Sequence, residues 1–206
     1  AEGDIIHTAA VPELGLDRLE QVLEAFRGTI LQVPPMYSAL HHQGRRLYEI
    51  ARSGEEVERI ARPVLIEQLD IIDWQAPKLT LNILCGKGTY IRSLARDIGQ
   101  ALGCGAHLSS LRRTAVGTFL IEQAISLDQL GSHLRQALLP PETAVASWPS
   151  LYPTQEQLRQ LRNGMPIEAQ PNILTNRARV HDQQGILVAL VERKHDSWQP
   201  YRVFDW

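Results

Sequence analysis

Lys87, Tyr90 and Arg92 stand close together in the stretch Cys85–Gly99, "CGKGTYIRSLARDIG". An apolar run ends there in Gly-Lys-Gly, and a helical pattern opens at once with Tyr and Arg. Arg92 falls in the first turn of that helix, where the positive end of the dipole disfavours a cation by a few tenths to about 1 kcal/mol. A guanidinium in that place calls for something negative opposite it. The free N–H groups of a helix start attract anions, so Lys87 and Arg92 read as an anion site. The other reading is a solvated Arg92/Arg96 pair, turned away from the Leu94/Ile98 stripe. Gly86-Lys87-Gly88-Thr89 lacks the longer glycine loop of a phosphate-binding turn and also fails the dinucleotide fingerprint. The glycines alone read as a tight turn capped by Thr89.

Cations and aromatics alternate in two further stretches, "MYSALHHQGRRLYEIAR" and "LSSLRRTAV". Tyr37, Tyr48, His41 and His42 could stack on bases, with Arg45, Arg46, Arg112 and Arg113 on phosphates. A solvated turn with core tyrosines accounts for the same residues. No spacing supports a Ser-His-Asp or Cys-His arrangement. Asp70, Asp73 and Asp97 are scattered. Cys104-Gly-Ala-His107 has metal-like spacing, but no second Cys/His pair stands near it, so no metal site is expected.

The 206 residues suffice for a buried core, as one large domain or one medium and one small. The net charge of −2 and pI near 6.4 give no bulk support to nucleic-acid binding, so any such site must be a local patch. All but three of the 21 cations (Lys78, Lys87 and Lys194) are Arg, which suits bidentate phosphate contacts and stacking. Two cysteines make no disulfide framework and fit a reducing, cytoplasmic setting. No apolar run approaches a membrane span, and no signal peptide is read. The opening "AEGDIIHTAAVPE" reads as the interior of a longer protein.

The elements that must position these residues follow from pattern. Leu16, Leu19, Val22, Leu23 and Phe26 mark an amphipathic helix stopped by Gly28. Pro34-Pro35 imposes extended chain, and a Gly turn, a basic pair and a short helix ending near Gly54 come next. "RPVLIEQLDIIDW" and "KLTLNILCG" are predicted strands. Tyr90–Leu102 is a helix with Ile91, Leu94, Ala95, Ile98 and Leu102 inward. "HLSSLRRTAVGTFLIEQA" reads as strand, turn and strand, and Ser126 as the cap of a short helix. Four prolines in "LPPETAVASWPSLYP" suggest a domain boundary. The tail reads as one helix, "TQEQLRQLRNG", and short strands turning at Gln184-Gly185 and His195-Asp196.

Together, "VPPMYSALHHQGRRLYEIARSG", "CGKGTYIRSLARDIGQALGCGAHLSSLRRTAVG" and "LDRLEQVLEAFRGTI" resemble the TruB family of tRNA pseudouridine synthases, in order and spacing, from about Asp4 to Leu130. The tail from about Pro140 is similar in position and character to the family's PUA-like RNA-binding domain. The resemblance implies an α+β fold with a mixed or antiparallel sheet, a catalytic-domain portion over 1–139, and a small β-rich domain over 140–206. It implies isomerisation of uridine 55 in the T loop of tRNA, with the base flipped into a pocket and with no metal or cofactor. Arg92 then corresponds to the Arg that pairs with the catalytic Asp and keeps it ionised. Tyr90 corresponds to the Tyr packed on the flipped base, and Leu111 to a pocket-lining Leu. Residues 34–57 correspond to a thumb that grips the T arm, placing Tyr37, His41, Gln43, Arg45 and Arg46 near RNA, with Lys87, Arg112 and Arg113 as further contacts.

The chain departs from the family pattern in one respect. The catalytic Asp of the family sits in a Gly-x-Leu-Asp-Pro motif, and no Leu-Asp-Pro occurs in this sequence. The Lys-x-Tyr strand of the family is missing too. The expectation is a portion that carries the Arg, the Tyr and the thumb, is inactive alone, exposes apolar surface, and has the absent N-terminal half as a partner. One rival is a non-catalytic RNA-binding protein. Another is a phosphate-binding enzyme built on Gly86-Lys87-Gly88, which predicts nucleotide binding lost on changing Lys87.

Overall fold

The computed structural model of the chain describes residues 7–204. The first six residues of the opening stretch lie outside them. The chain forms two compact units, one running to Leu111 and the other starting at Arg112.

The first unit is built on a three-stranded antiparallel sheet. Helix α1 (Leu16–Glu24) leads into strand β1 (Gly28–Gln32), and short strands β2 (His41–His42) and β3 (Arg45–Arg46) precede helix α2 (Leu47–Arg52). The long strand β4 (Arg62–Gln75) turns through Ala76-Pro77 into β5 (Lys78–Cys85), and α3 (Ile91–Ala101) follows. The sheet order is β1-β4-β5. In register, Gly28 pairs with Ile66 and Gln32 with Arg62, while Ile66 also pairs with Cys85.

Alternation along the strands, reset by a bulge between Ile66 and Gln68 of β4, decides which face is buried. Ile66 and Leu69 point to the side where Leu23 of α1 and Leu94 and Ile98 of α3 close the core. Each such buried side chain contributes about 1.5–3 kcal/mol by leaving water. The expected stripes of α1 and α3 are present, except that Leu16, at the helix start, is exposed. On the opposite face Leu31, Leu65 and Leu84 are exposed.

Gly99 decides how α3 ends. A Cβ there would lie 2.2 Å from the backbone nitrogen of Ala106. The Cys104 and Gly105 N–H groups both donate to its carbonyl. Only a glycine admits the returning chain at that distance.

In the second unit, β6 (Ala115–Val116) and β7 (Phe119–Leu120) form a small hairpin, and α4 (Leu127–Ala137) follows. The strand expected from His107 is confined to these two-residue pieces, and residues 107–114 have no regular structure. Ser126 occupies the N-cap position of α4, but its side chain makes no capping bond. Strand β8 (Ser150–Leu151), helix α5 (Gln155–Arg162), and strands β9 (Ile167–Glu168), β10 (Arg177–His181), β11 (Leu187–Lys194) and β12 (Ser197–Val203) complete the unit. Here Thr154 does cap its helix, accepting from the Gln157 N–H. The sheet order is β8-β10-β11-β12-β9, with β8 parallel to β10 and the other neighbours antiparallel. Trp198, Val180, Val191, Ala178 and Leu161 form its buried centre. The expected tail helix and strands are therefore present, and the turns fall at Gln184-Gly185 and His195-Asp196. Among the described residues, no helix is long and apolar enough to cross a membrane.

Candidate functional site

The site is organised by a chemical problem at Pro34-Pro35. A proline has no N–H, so chain leaving β1 through this pair cannot continue the sheet ladder. Its carbonyls still need donors. The first turns of α3 supply most of them from side chains. Ser93 Oγ donates to the Val33 carbonyl at 2.9 Å, and Arg96 donates to the same oxygen at 3.3 Å. Arg92 donates to the Tyr37 carbonyl at 2.7 Å. Arg59, from the segment before β4, donates to the Pro34 carbonyl at 3.2 Å.

Arg92 therefore faces an oxygen of the 34–57 segment. The partial negative charge of that carbonyl offsets the unfavourable dipole at the helix start. This is the arginine's only hydrogen bond among the described residues, and a guanidinium carries five N–H donors. Donors remain for a carboxylate. Arg96 also pairs with Asp97 at 2.7 Å.

Tyr90 takes the N-cap position of α3, and no side chain caps it. Thr89 instead closes the preceding turn, with its hydroxyl donating to the Gly86 carbonyl. Tyr90 is held from β1. The Gln32 side-chain amide accepts from the Tyr90 N–H at 2.8 Å and donates to the Tyr90 carbonyl at 3.2 Å. Gln32 is 2% exposed. Sequence reasoning missed Gln32, Ser93 and Arg59. The signal for Gln32 was present: it follows Ile30 by two residues, so a polar group stands on the core face of the strand.

The 34–57 segment folds as a hairpin on a helix. Gln43 and Gly44 both have positive φ (48° and 85°), the geometry of the two-residue turn that suits the twist of a hairpin. His41 pairs with Arg46 and His42 with Arg45. Leu47 and Ile50 of α2 are buried beneath. The Glu49 carboxylate accepts from the Arg46 backbone N–H. That bond comes first among the causes holding the Glu49 carboxyl below its ordinary value. Glu55 is likewise lowered, by the Ser53 hydroxyl first and then by Arg45. Arg46 and Arg52 both lie over the Tyr48 ring. The Tyr37 ring is exposed, as are His41, Gln43, Arg45 and Arg46.

Lys87 is exposed on the turn before α3, and Tyr90 is half-buried. The structure thus brings Tyr90, Arg92 and the root of the hairpin together. Leu111 is 62% exposed at the end of the first unit, and Arg112 and Arg113 are exposed in the second. The hydrogen bonds of Tyr90 and Arg92 described above run to Gln32 and Tyr37. Among the described residues, no group of three or more His, Cys, Asp and Glu could hold a metal ion.

Residues 1–91 match the N-terminal domain of the TruB family pseudouridylate synthases, and residues 92–146 match the C-terminal domain of tRNA pseudouridylate synthase B. Relatives named tRNA pseudouridine synthase B include those of Syntrophomonas wolfei, 44% identical over 91% of this chain, and Pseudomonas aeruginosa, 42% identical over 96%. The chain spans 66% and 67% of their lengths. Among solved structures, a chain of a Cbf5-Nop10-Gar1 complex matches 96% of this one with a TM-score of 0.73 at 24% identity, and covers the same fold. A chain of an H/ACA ribonucleoprotein bound to a substrate RNA matches with a TM-score of 0.70 at 22% identity. The α+β architecture is thus that of pseudouridine synthases, and the chain belongs to the TruB family of pseudouridylate synthases.

Proposed function

We propose that this chain forms the RNA-gripping and pocket-wall portion of a synthase that converts uridine 55 in the T loop of tRNA to pseudouridine. The observation that carries this reading is the Arg92–Tyr37 bond, which ties the base of the hairpin to the helix turn bearing Tyr90. A clamp on RNA and a wall of the base pocket are thereby one mechanical unit.

In the reaction the C1′–N1 bond of the uridine breaks, the freed base turns, and C5 joins C1′. N1 gains a proton and C5 loses one, so the product is an isomer. Tyr90 offers a flat ring for the flipped base. Arg92, with donors to spare, holds the catalytic carboxylate ionised and aimed. That carboxylate belongs to a Leu-Asp-Pro turn, which this sequence does not contain. In this reading Tyr37, His41, Gln43, Arg45 and Arg46 meet the T arm, Lys87, Arg112 and Arg113 are further RNA contacts, and Leu111 lines the base pocket. The domain limits 1–139 and 140–206 and a cytoplasmic setting go with this reading. No metal or cofactor takes part.

The test is pseudouridine formation in a T-arm hairpin RNA. The expected result is binding without product for the chain alone, and product when a polypeptide carrying the Leu-Asp-Pro half is added. Binding with no product in either case favours the non-catalytic RNA-binding reading. Product from the chain alone overturns the missing-nucleophile argument.

A further inference from the structure

Tyr90 stands at a junction that leaves its own backbone under-determined. Before it, the turn Gly86–Thr89 contains Gly86 and Gly88, the latter at φ 86°. After it, α3 sets the dihedrals from Ile91 onward. Tyr90 itself is extended, with φ −100° and ψ 107°. The Leu94 N–H donates to its carbonyl at 3.0 Å, which ties that side of the residue to the helix. Its N–H has no helical partner, as is general for the first N–H groups of a helix. Rotation about the N–Cα bond, and with it the direction of the side chain, is therefore fixed by whatever holds that N–H.

Gln32 holds it. Its Oε1 accepts from the Tyr90 N–H at 2.8 Å while its Nε2 donates to the Tyr90 carbonyl at 3.2 Å. The N–H and C=O of one residue point to the same side only where the chain is extended, as in the two-bond pairs of an antiparallel ladder. One side-chain amide grips Tyr90 in that way. The side chain of an extended residue stands away from its N–H and C=O, so the backbone is clamped and the ring is left as a surface. The mount is rigid as well. The next residue is Val33, whose carbonyl accepts from Ser93 and Arg96 of the same helix. Gln32 cannot slide along its strand direction without breaking those bonds.

An amide is an expensive choice for this place. Gln32 lies on the core face of β1 and is 2% exposed, where an apolar side chain would pack without needing partners. Both of its polar groups are used on Tyr90. We infer that Gln32 is a positioning residue for the isomerisation. At 2% exposure it is out of reach of RNA. It acts by fixing the plane of the Tyr90 ring against the flipped base. A displacement near 1 Å at a reacting centre costs about a hundredfold in rate, so a ring that swings slows turnover far more than binding. The inference rests on the reading of Tyr90 as a wall of the base pocket.

The experiment follows the full chain, labelled on its tyrosine rings, by NMR as T-arm hairpin RNA is added. Tyr90→Phe assigns the Tyr90 signals, and a base stacked on that ring shifts them through its ring current. Gln32→Met removes both bonds at similar volume. Gln32→Asn is an amide one methylene too short. Gln32→Glu keeps an oxygen to accept from the Tyr90 N–H. The expected result is a clear RNA-induced shift in the parent and in Gln32→Glu, and loss of most of it in Gln32→Met and Gln32→Asn, with T-arm Kd close to that of the parent in all. With the Leu-Asp-Pro half added, single-turnover product formation falls about a hundredfold for Gln32→Met and recovers in Gln32→Glu. Circular dichroism checks that each variant is folded. A folded Gln32→Met or Gln32→Asn that keeps the Tyr90 shift overturns the role of Gln32 and leaves Tyr90 in place. Equal loss of binding and turnover also overturns it, because a merely structural residue would act so. No shift in the parent overturns Tyr90 as a pocket wall and the role of Gln32 with it.

Discussion

The Gln32 side chain forms two hydrogen bonds with the backbone of Tyr90, one to its N–H and one to its carbonyl. A side-chain amide here does what a neighbouring strand would do. It completes the hydrogen bonding of a residue that is neither in the sheet nor in the helix. Gln32→Ala leaves the half-buried Tyr90 N–H without its partner, while the carbonyl keeps the Leu94 N–H; an unsatisfied group of this kind costs about 1–3 kcal/mol. Urea unfolding should show that loss. Hydrogen exchange should show the Tyr90 amide losing protection ahead of its neighbours in α3. An unchanged Tyr90 amide would mean that the turn, and not Gln32, holds the residue.

Gly99→Ala tests the close packing at the end of α3. The added methyl meets backbone, with Ala106 N 2.2 Å away, and backbone cannot move aside as a flexible side chain can. Overpacking of this kind costs about 1–3 kcal/mol or more. The expected outcome is a chain less stable by at least that amount, read as a lower urea midpoint with the slope unchanged. Gly131→Ala, in exposed α4 with open space around it, is the control and should be neutral or slightly stabilising.

Patterns that depend on one element alone were legible in the sequence. The stripe of α3, the Gly turn of the hairpin and the tail turns each follow from a local rule, and each is present. Failures came where a local rule had no tertiary support. Ser126 has the right type and place for a cap, yet its hydroxyl makes no capping bond. The apolar residues from His107 onward suggested a strand, but only short pieces found a partner strand. The bonds from α3 to Val33 and Tyr37 span 55 to 63 residues of sequence, so no window of pattern could reveal them. Arg92 drew attention because its position was unfavourable. The oxygen that explains it could only be seen in the fold.

The hairpin should respond to acid. Glu49 and Glu55 both have carboxyl pKa values lowered from the ordinary 4.5, the first chiefly by the Arg46 N–H and the second chiefly by the Ser53 hydroxyl. A carboxylate whose folded value is depressed adds stability above its unfolded value and loses that contribution as pH falls through the folded one. The hairpin should therefore be equally protected at all pH values well above 4.5 and begin to loosen below it. Both side chains are at the surface, so the effect is small and screened by salt. Carboxyl chemical shifts of the two residues across an acid titration measure it directly. Glu49→Gln removes the charge from the Arg46 bond and should flatten the local response at α2 while leaving that of Glu55.

Arg92→Lys separates charge from geometry. Lysine keeps the positive charge but presents a single ammonium in place of a planar fork. It cannot both reach the Tyr37 carbonyl, now at 2.7 Å, and offer a paired set of donors to a carboxylate. If Arg92 only neutralises the catalytic Asp, the lysine variant should retain most of the activity restored by the Leu-Asp-Pro half. If the fork both fixes the hairpin root and aims the carboxylate, product formation should fall by about a hundredfold, the usual loss when one oriented donor is removed from a reacting centre. T-arm binding should weaken far less than turnover, because Tyr37, His41, Arg45 and Arg46 remain on the hairpin. We expect the second result, measured as single-turnover pseudouridine formation beside anisotropy binding of the same RNA. Parallel loss of binding and turnover would assign Arg92 to the grip on RNA alone.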